Sequence, residues 1–314
     1  MITVMTPTFN RAYILPKLYD SLINQTSYDF EWIVIDDGST DNTGALFADW
    51  LKRDNPFEIT YIKKENGGKH RAVNNAVIIA KYDWFFIVDS DDYLATDAIV
   101  LVHEWIKTVD GDNTFAGVSG LRGCIGNNEI IGEYPTDEQY EEFIDATNLQ
   151  RREKHLDGDK AEVYKTDILR KYPFPEFEGE NFIAECAVWD KIALDGYKIR
   201  WFNKVIYKCD YLKDGLSNIG DRLLIDNSEG FAYNIKMQFI IFPHSNESYN
   251  VHKYYYIAKE KGLKSKDISK KLGIPNSKLK MLVLKQNIIN ILRKNKTLFN
   301  GCKKIYKLLV NQSS

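Results

Sequence analysis

Three aspartates, Asp89, Asp91 and Asp92, crowd the four residues that follow the apolar run Trp84 to Val88. Carboxylates this close repel one another unless a cation neutralises them. Oxygen donors suit hard cations such as Mg²⁺ or Mn²⁺, which also bridge to phosphates. The run before them, W-F-F-I-V, has the aromatic and β-branched density of a strand buried on both faces of a parallel sheet. Acids at the carboxyl end of such a strand face the crevice where open α/β sheets take ligands. A D-x-D taken alone also reads as a turn, because Asp and Ser are common turn formers. The surrounding chain must decide.

Four further segments carry polar residues at the ends of predicted elements. Ile2 to Thr6 reads as a first strand, followed by the loop T-P-T-F-N-R at 6 to 11, in which Pro7 cannot donate to a ladder and Asn10 can cap the next helix. That helix, from Tyr13, keeps Ile14, Leu15, Leu18, Tyr19 and Leu22 on one face, with Pro16 in its first turn. A second strand, Glu31 to Ile35, runs into Asp36-Asp37-Gly38-Ser39-Thr40-Asp41. After another helix and the strand Glu58 to Lys63, N-G-G-K-H-R-A at 66 to 72 opens a helix. Glycines at a helix start beside Lys69 and Arg71 would make an anion site from backbone N–H groups and positive charge. It is not a Walker A loop, since Lys63 stands where the first glycine belongs and His70 where Ser or Thr would hold magnesium; nor does G-x-G-x-x-G follow the first strand. The order β-α-β-α-β-α-β predicts a mostly parallel central sheet flanked by helices.

Beyond this half, a helix capped by Thr96 is expected to run to Thr108, with strands at Phe115 to Leu121, Glu129 to Tyr134, Ala161 to Lys165, Lys198 to Phe202 and Lys204 to Cys209. The acidic stretch Thr136 to Asp145 reads as a surface helix or mobile segment, and G-E-N-F-I-A-E-C at 179 to 186 leads into a helix ending near Gly196. Asp214 to Asn218 is expected to be a loop. From Asp221 the pattern is helical, broken at Pro243, Gly262 and Pro275. The expected domains are 1–220, with a nucleotide-binding half at 1–110 and an acceptor half at 111–220, and a helical region at 221–314.

The 314 residues, 44% hydrophobic, suffice for one large domain and an appendage. Net charge is −2, but residues 251–314 hold 16 Lys and Arg against 2 Asp and Glu, so a basic tail follows an acidic body. Cys124, Cys186, Cys209 and Cys302 form no C-x-x-C pair, which argues against a zinc site or disulfide framework and for a reduced compartment. No signal peptide and no apolar run of about 18 residues is visible, so the expected location is the cytoplasm or the inner face of a membrane as a peripheral protein.

Together, T-P-T-F-N-R, I-D-D-G-S-T-D, N-G-G-K-H-R-A, V-D-S-D-D and G-E-N-F-I-A-E-C, in this order, resemble the inverting family 2 glycosyltransferases of bacterial polysaccharide synthesis. The resemblance covers residues 1 to about 220 and displaces the turn reading of the aspartates. It implies the α/β fold called GT-A, the nucleotide-diphospho-sugar transferase fold, here with a C-terminal helical extension. It also implies a metal-dependent transfer of a sugar from a nucleotide-sugar, a UDP-sugar by resemblance, to a hydroxyl of a glycan or lipid-linked acceptor. Carried over position by position, Thr6, Pro7, Thr8, Phe9 and Arg11 lie against the nucleotide base, which Asp37 hydrogen-bonds while Asp36 holds that loop or shares the contact. Asp89, with Ser90 beside it, faces the ribose. Asp91 binds the divalent metal, Mn²⁺ or Mg²⁺, with Asp89 as the alternative ligand. Gly68, Lys69 and Arg71 border donor or phosphate; a solvated helix face is the competing reading for Arg71, and packing for His70. In relatives the catalytic base lies in an E-D pair. Here the pair reads Glu185-Cys186, which leaves Glu185 as the expected base, Glu180 second and Asp190 third.

Two rival enzyme classes and one binding class fit less well. A sugar nucleotidyltransferase would carry a Gly-rich Arg-Lys loop after the first strand, and a haloacid-dehalogenase phosphatase would follow its D-x-D with Gly-Thr where Asp92-Tyr93 stands. A non-catalytic sugar-nucleotide-binding protein would not need three acids at a strand end. The basic helical tail reads either as a docking surface for an anionic membrane or as an annex with solvated lysines. Nucleic acid is not an expected partner, because the acidic body would repel phosphate.

Overall fold

The computed structural model describes residues 1–126, 129–137, 142–209 and 220–294. The chain forms two compact units: Met1–Glu176 with Val188–Asn218, and Phe177–Ala187 with Ile219–Ser314.

The first unit is built on a sheet of nine strands. In chain order these are β1 Ile2–Thr8, β2 Phe30–Asp36, β3 Glu58–Lys63, β4 Trp84–Ile87, β5 Tyr93–Leu94, β6 Phe115–Cys124, β7 Phe143–Ala146, β8 Lys160–Lys165 and β9 Lys198–Cys209. Their order across the sheet is β3-β2-β1-β4-β8-β6-β9-β5, with β7 also on β9. Helices α1 Leu15–Ile23, α2 Thr43–Trp50, α3 Lys69–Ile79 and α4 Ala98–Lys107 connect the first half, and α5 Thr166–Lys171 and α6 Cys186–Leu194 follow β8. β1 and β2 are buried along their whole length. Strands so enclosed need apolar side chains on both faces, which I-T-V-M-T and F-E-W-I-V largely supply. Their core partners are Leu15, Leu18, Phe47, Trp50, Phe86 and Val102.

β1 runs two residues past the expected strand and takes in Pro7. Met5 O accepts the Val88 N–H, and the pairing of β1 with β4 stops at Met5–Ile87, so Pro7 presents its missing donor where β4 has ended. β1, β2, β3 and β4 are mutually parallel, so Thr8, Asp36, Lys63 and Ile87 all end at one edge. The second half is not parallel: β8 lies antiparallel between β4 and β6, and β5 and β7 are antiparallel to β9. The sheet is therefore mixed rather than mostly parallel.

Other expectations shift. Glu129 to Tyr134 forms only an isolated bridge, Gly123 to Ile130, among the described residues. There Gly132 has φ 84°, and a Cβ on it would meet Asp157 O at 2.3 Å, so only glycine fits this close approach to Asp157 and Gly158. The acidic stretch ends in a strand, not a helix: its residues 143–145 lie in β7, which pairs with β9 and is fixed by Asp145 accepting two bonds of 2.7 Å from Arg200, while 136, 137 and 142 lie in no regular element and 138–141 lie outside the described residues. The two strands expected at 198–209 are one, with register shifts against β6. Asp97 rather than Thr96 holds the N-cap position of α4, since the Thr96 carbonyl is bonded to Thr26 N. Asp214 to Asn218 lies outside the described residues.

The second unit contains α7 Asp221–Asp226, α8 Ser228–Ile241, α9 Ser248–Glu260, α10 Ser265–Lys271 and α11 Asn276–Lys294. Its core gathers Phe231, Ile235, Tyr254, Ile257, Ile268, Leu272, Leu279 and Leu282. Residues 177–187 group with these helices, because Glu180 and Asn227 tie them to α8. The Glu180 carboxylate accepts Glu229 N (2.7 Å) and Gly230 N (2.8 Å), and Asn227 Oδ1 accepts Asn181 N (2.8 Å) and Phe182 N (2.9 Å). Among the described residues no helix is long and apolar enough to cross a membrane.

Trp32 joins the core to the edge where the parallel strands end. It is fully buried, donates Nε1–H to Thr6 Oγ1 at 3.0 Å, and packs on Tyr19, Phe47 and Trp50. Trp32→Ala is expected to lower unfolding free energy by about 3–5 kcal/mol, read from denaturant midpoints.

Candidate functional site

The loop after β1 and the loop after β2 hold each other. Asn10 adopts a left-handed φ of 53°, donates its N–H to Ser39 Oγ (2.8 Å) and accepts Thr40 N at Oδ1 (2.7 Å). It therefore ties two loops together instead of capping α1, whose N-cap position is Ile14. Asp36 is fully buried and accepts Ser39 N (2.7 Å) and the Tyr61 hydroxyl. Burial, then the Asp36 bond, push the Tyr61 phenol up, so it remains a donor. Above these loops Phe9 is exposed, while Thr6, Pro7 and Thr8 are buried in β1. Thr8 Oγ1 is buried and has no hydrogen-bond partner among the described residues.

Asp37 organises the third loop. One oxygen accepts Gly67 N (2.9 Å) and Lys64 Nζ, the other Gly68 N (2.7 Å), and its carbonyl accepts Asn66 Nδ2 (2.9 Å). The glycine-rich turn before α3 is thus an anion site, as its sequence suggests, but the anion it holds is this chain's own carboxylate. Gly68 has φ 92° at the N-cap position of α3, and Gly38 has φ 87° where a Cβ would meet Asn66 N at 2.9 Å. Both positions call for glycine. Arg71 donates to Gly67 O (2.7 Å) and pairs with Glu176 (3.2 Å), so it braces the same loop. His70 is buried, with Nδ1 unpartnered; burial, then Arg71, depress it to about 4, and its ring is neutral.

The aspartates after β4 lie among cations. Lys69 Nζ stands 2.5 Å from Asp89 Oδ1, and Arg122 Nη1 lies 3.5 Å from Asp89 Oδ2 and 3.7 Å from Asp92 Oδ2. Tyr207 Oη accepts the Asp89 N–H (2.8 Å), and the Arg122 guanidinium sits 4.2 Å over the Tyr207 ring. Burial pushes the Asp89 carboxyl up, but Lys69 and Arg122 outweigh it and hold the group below its ordinary range. Asp91 goes the other way: burial and then the Asp89 charge raise it, and Arg11 and Lys69 do not offset this. Asp92, buried against Arg122, is pushed up to about 8 by burial and then by Asp89. Ser90 is buried between them in sequence.

The structure thus brings Arg11, Lys69, Asp89 and Asp91 into one electrostatic cluster at the edge where β1 to β4 end. Asp36, Asp37 and Arg71 stand behind it as loop braces. Asp190, also in this unit, is buried and accepts Asn148 Nδ2 at 2.8 Å. Glu180 and Glu185 belong to the other unit, where Glu180 caps α8 and Glu185 is half-buried immediately before α6. Lys64, Arg122 and Tyr207 were not anticipated. Lys64 had a signal, since it follows a parallel strand at its carboxyl end. Arg122 and Tyr207 reach the cluster only through the pairing of β6 with β9.

Comparison with known proteins identifies the family. The model of glycosyl transferase family 2 matches residues 3–169. The chain belongs to that family. Glycosyltransferase GlyG of Streptococcus pneumoniae is 30% identical over 112 residues, 36% of this chain and 37% of GlyG. The poly(ribitol-phosphate) beta-glucosyltransferase of Bacillus spizizenii is 30% identical over 124 residues, 39% of this chain and 20% of that protein. These matches span little more than a third of the relatives' own length, or less. Staphylococcus aureus TarS 1-349 in complex with UDP-GlcNAc superposes with a TM-score of 0.56 at 17% identity, over 98% of this chain and 90% of that one. The mannosyltransferase PcManGT of Pyrobaculum calidifontis, in complex with GDP-Man and Mn²⁺, gives 0.54 at 19%, over 98% and 85%. The fold of this family 2 chain is GT-A.

Its residues suit a divalent cation of a particular kind. Among the described residues no group of three or more His, Cys, Asp or Glu side chains converges to make a complete metal cage. Mg²⁺ and Mn²⁺ need no such cage, being commonly held by one or two carboxylates with phosphate oxygens and water. The raised Asp91 carboxyl, short of compensating charge, fits that role.

The opposed shifts give a pH test. Unfolded, Asp92 titrates near about 4. Folded, it titrates at about 8, so between these values the native state holds a proton that the unfolded chain lacks, and stability falls as pH rises. Asp89, depressed on folding, has the opposite sign: its contribution is present above its unfolded value and disappears on acidification. In chelator, Asp92→Asn is expected to flatten the decline in unfolding midpoint between roughly pH 5 and 8. An unchanged slope would place the titration elsewhere.

Proposed function

We propose that this chain is an inverting, metal-dependent glycosyltransferase that moves a sugar from a UDP-sugar to a hydroxyl of a glycan or lipid-linked acceptor, as in cell-surface polysaccharide synthesis. The observation that carries the proposal is the cluster at the parallel edge, where Asp89 and Asp91 stand beside Lys69 and Arg11. Carboxylates for a cation and cations for a diphosphate are what a nucleotide-sugar requires. The complexes of the structural neighbours, TarS with UDP-GlcNAc and PcManGT with GDP-Man and Mn²⁺, support the same reading.

In this reading the nucleoside lies over the β1 and β2 loops, with Phe9 and Pro7 against the base. Asp37 accepts from the base while keeping the 64–68 loop in place, and Asp36 fixes the loop from which Asp37 projects. Asp89 and Ser90 address the ribose, and Asp91 holds the metal. Lys69 and Arg11 add positive charge toward the diphosphate; Arg71 acts through Gly67 and Glu176. When bound, the cation supplies Lewis-acid stabilisation of the charge that develops on the leaving diphosphate.

The acceptor oxygen attacks the anomeric carbon from the face opposite the nucleoside diphosphate. One carbon–oxygen bond forms as the bond to phosphate oxygen breaks, and the hydroxyl proton passes to a carboxylate. We assign that carboxylate to Glu185. Glu180 already spends both oxygens on the first turn of α8, and Asp190 is buried against Asn148.

Two substitutions separate the roles. Glu185→Gln is expected to bind donor and metal normally yet lose transfer by about 10²–10⁴-fold, the usual contribution of a general base. Asp91→Asn is expected to lose the manganese-dependent part of UDP-sugar affinity, measured by titration calorimetry with and without Mn²⁺. Near-normal turnover in Glu185→Gln would sink the base assignment, and unchanged metal dependence in Asp91→Asn would sink the metal assignment.

A further inference from the structure

Helix α11 carries two apolar stripes, only one of which has a partner among the described residues. Leu279, Leu282, Val283, Ile289 and Leu292 are buried in the helical unit. Met281, Leu284, Ile288 and Ile291 are 56%, 60%, 38% and 59% exposed. Their spacing of three, four and three residues sets them on one line along the helix, roughly 80° wide at 3.6 residues per turn. At that pitch Lys280 and Lys294 flank the line on one side, and Lys278 and Lys285 on the other. The helix holds five cations, these four and Arg293, and no acid. The apolar surface continues past its first turn: Lys278 Nζ donates to Pro243 O (3.1 Å) and lies 4.4 Å over the Phe239 ring, which brings alongside the last turn of α8 and its C-cap, where Ile240 is 50% and Phe242 43% exposed.

Heptad-spaced apolar residues can also pair with a second helix. Coiled coils, however, set opposite charges beside the seam. Two copies of α11 would set lysine against lysine. An exposed apolar line edged by cations complements a surface that is apolar beneath and anionic at its head groups, with the stems of the exposed Lys280 and Lys294 lying along the apolar zone and their ammonium groups at the phosphates.

We propose that the exposed face of α11 docks this chain on an anionic lipid bilayer. The proposal does not depend on the transferase reading, and either can fail alone. The test is sedimentation of the full chain with phosphatidylcholine vesicles, with and without phosphatidylglycerol, at low and high salt. The expected result is binding to the phosphatidylglycerol vesicles only, reversed by salt, and weakened at least about tenfold by the double substitution Leu284→Ser and Ile288→Ser. Ile78→Ser, which removes a still more exposed side chain on α3, is expected to bind as the unaltered protein does. Thermal unfolding checks that each variant is folded, and Ile291→Ser in the last turn of α11 replaces the double variant if that one is not. The proposal is overturned by equal binding to both vesicle types, by no binding, or by a folded double variant that binds normally. A lipid-free dimer that the double substitution dissociates would also overturn it, giving the face to a second copy.

Discussion

Asp89, Asp91 and Asp92 are three carboxylates in four residues, and the fold removes much of their water. A charge withdrawn from water must find an opposite charge or give up its ionised form. The cluster uses both solutions. Asp89 takes Lys69 and Arg122 and stays ionised, whereas Asp92 rises to about 8 and keeps its proton. Asp91 lies between these outcomes, raised by burial and by Asp89 and only partly relieved by Arg11 and Lys69. A site with that deficit favours whatever brings positive charge to it, and the proposed divalent cation with its diphosphate would do so without a new protein ligand.

The rest of the first unit keeps this arrangement fixed. Four parallel strands end together, so the loops that leave them share one edge, and buried carboxylates hold those loops to one another. Asp36 anchors the second loop through Ser39 and Tyr61, and Asp37 anchors the third through the N–H groups of Gly67 and Gly68. Lys69 follows that turn by one residue, so the loop that satisfies Asp37 also delivers the ammonium that pairs with Asp89. On the other side Tyr207 bonds the Asp89 backbone and supports the Arg122 guanidinium. Removing Tyr61, Arg122 or Tyr207 would loosen the geometry without removing a proposed ligand contact, which is why functional sites rely on such supporting contacts.

Much of this was legible in the chain because the parallel half is local in sequence. Hydrophobic runs such as W-F-F-I-V mark buried strands, and the polar residues directly after them mark the edge, so Asp36, Asp37, Asp89 and Asp91 could be named from order alone. Non-local pairing was not legible. β8 inserts antiparallel between β4 and β6, and β6 runs beside β9, so Arg122 and Tyr207 reach the aspartates from residues far away in the chain. Nor does sequence say which partner a polar side chain will choose. Asn10 looked like a helix cap and is a clasp between loops. Glu180 read as a second candidate base and its carboxylate closes the first turn of α8.

The most direct measurement is anomalous diffraction from crystals of the full chain soaked with Mn²⁺ and UDP. The account predicts a manganese peak within bonding distance of an Asp91 carboxylate oxygen, with the uracil over the loops that follow β1 and β2. Nucleotide bound with its manganese remote from Asp91, or at a different edge of the sheet, would contradict it.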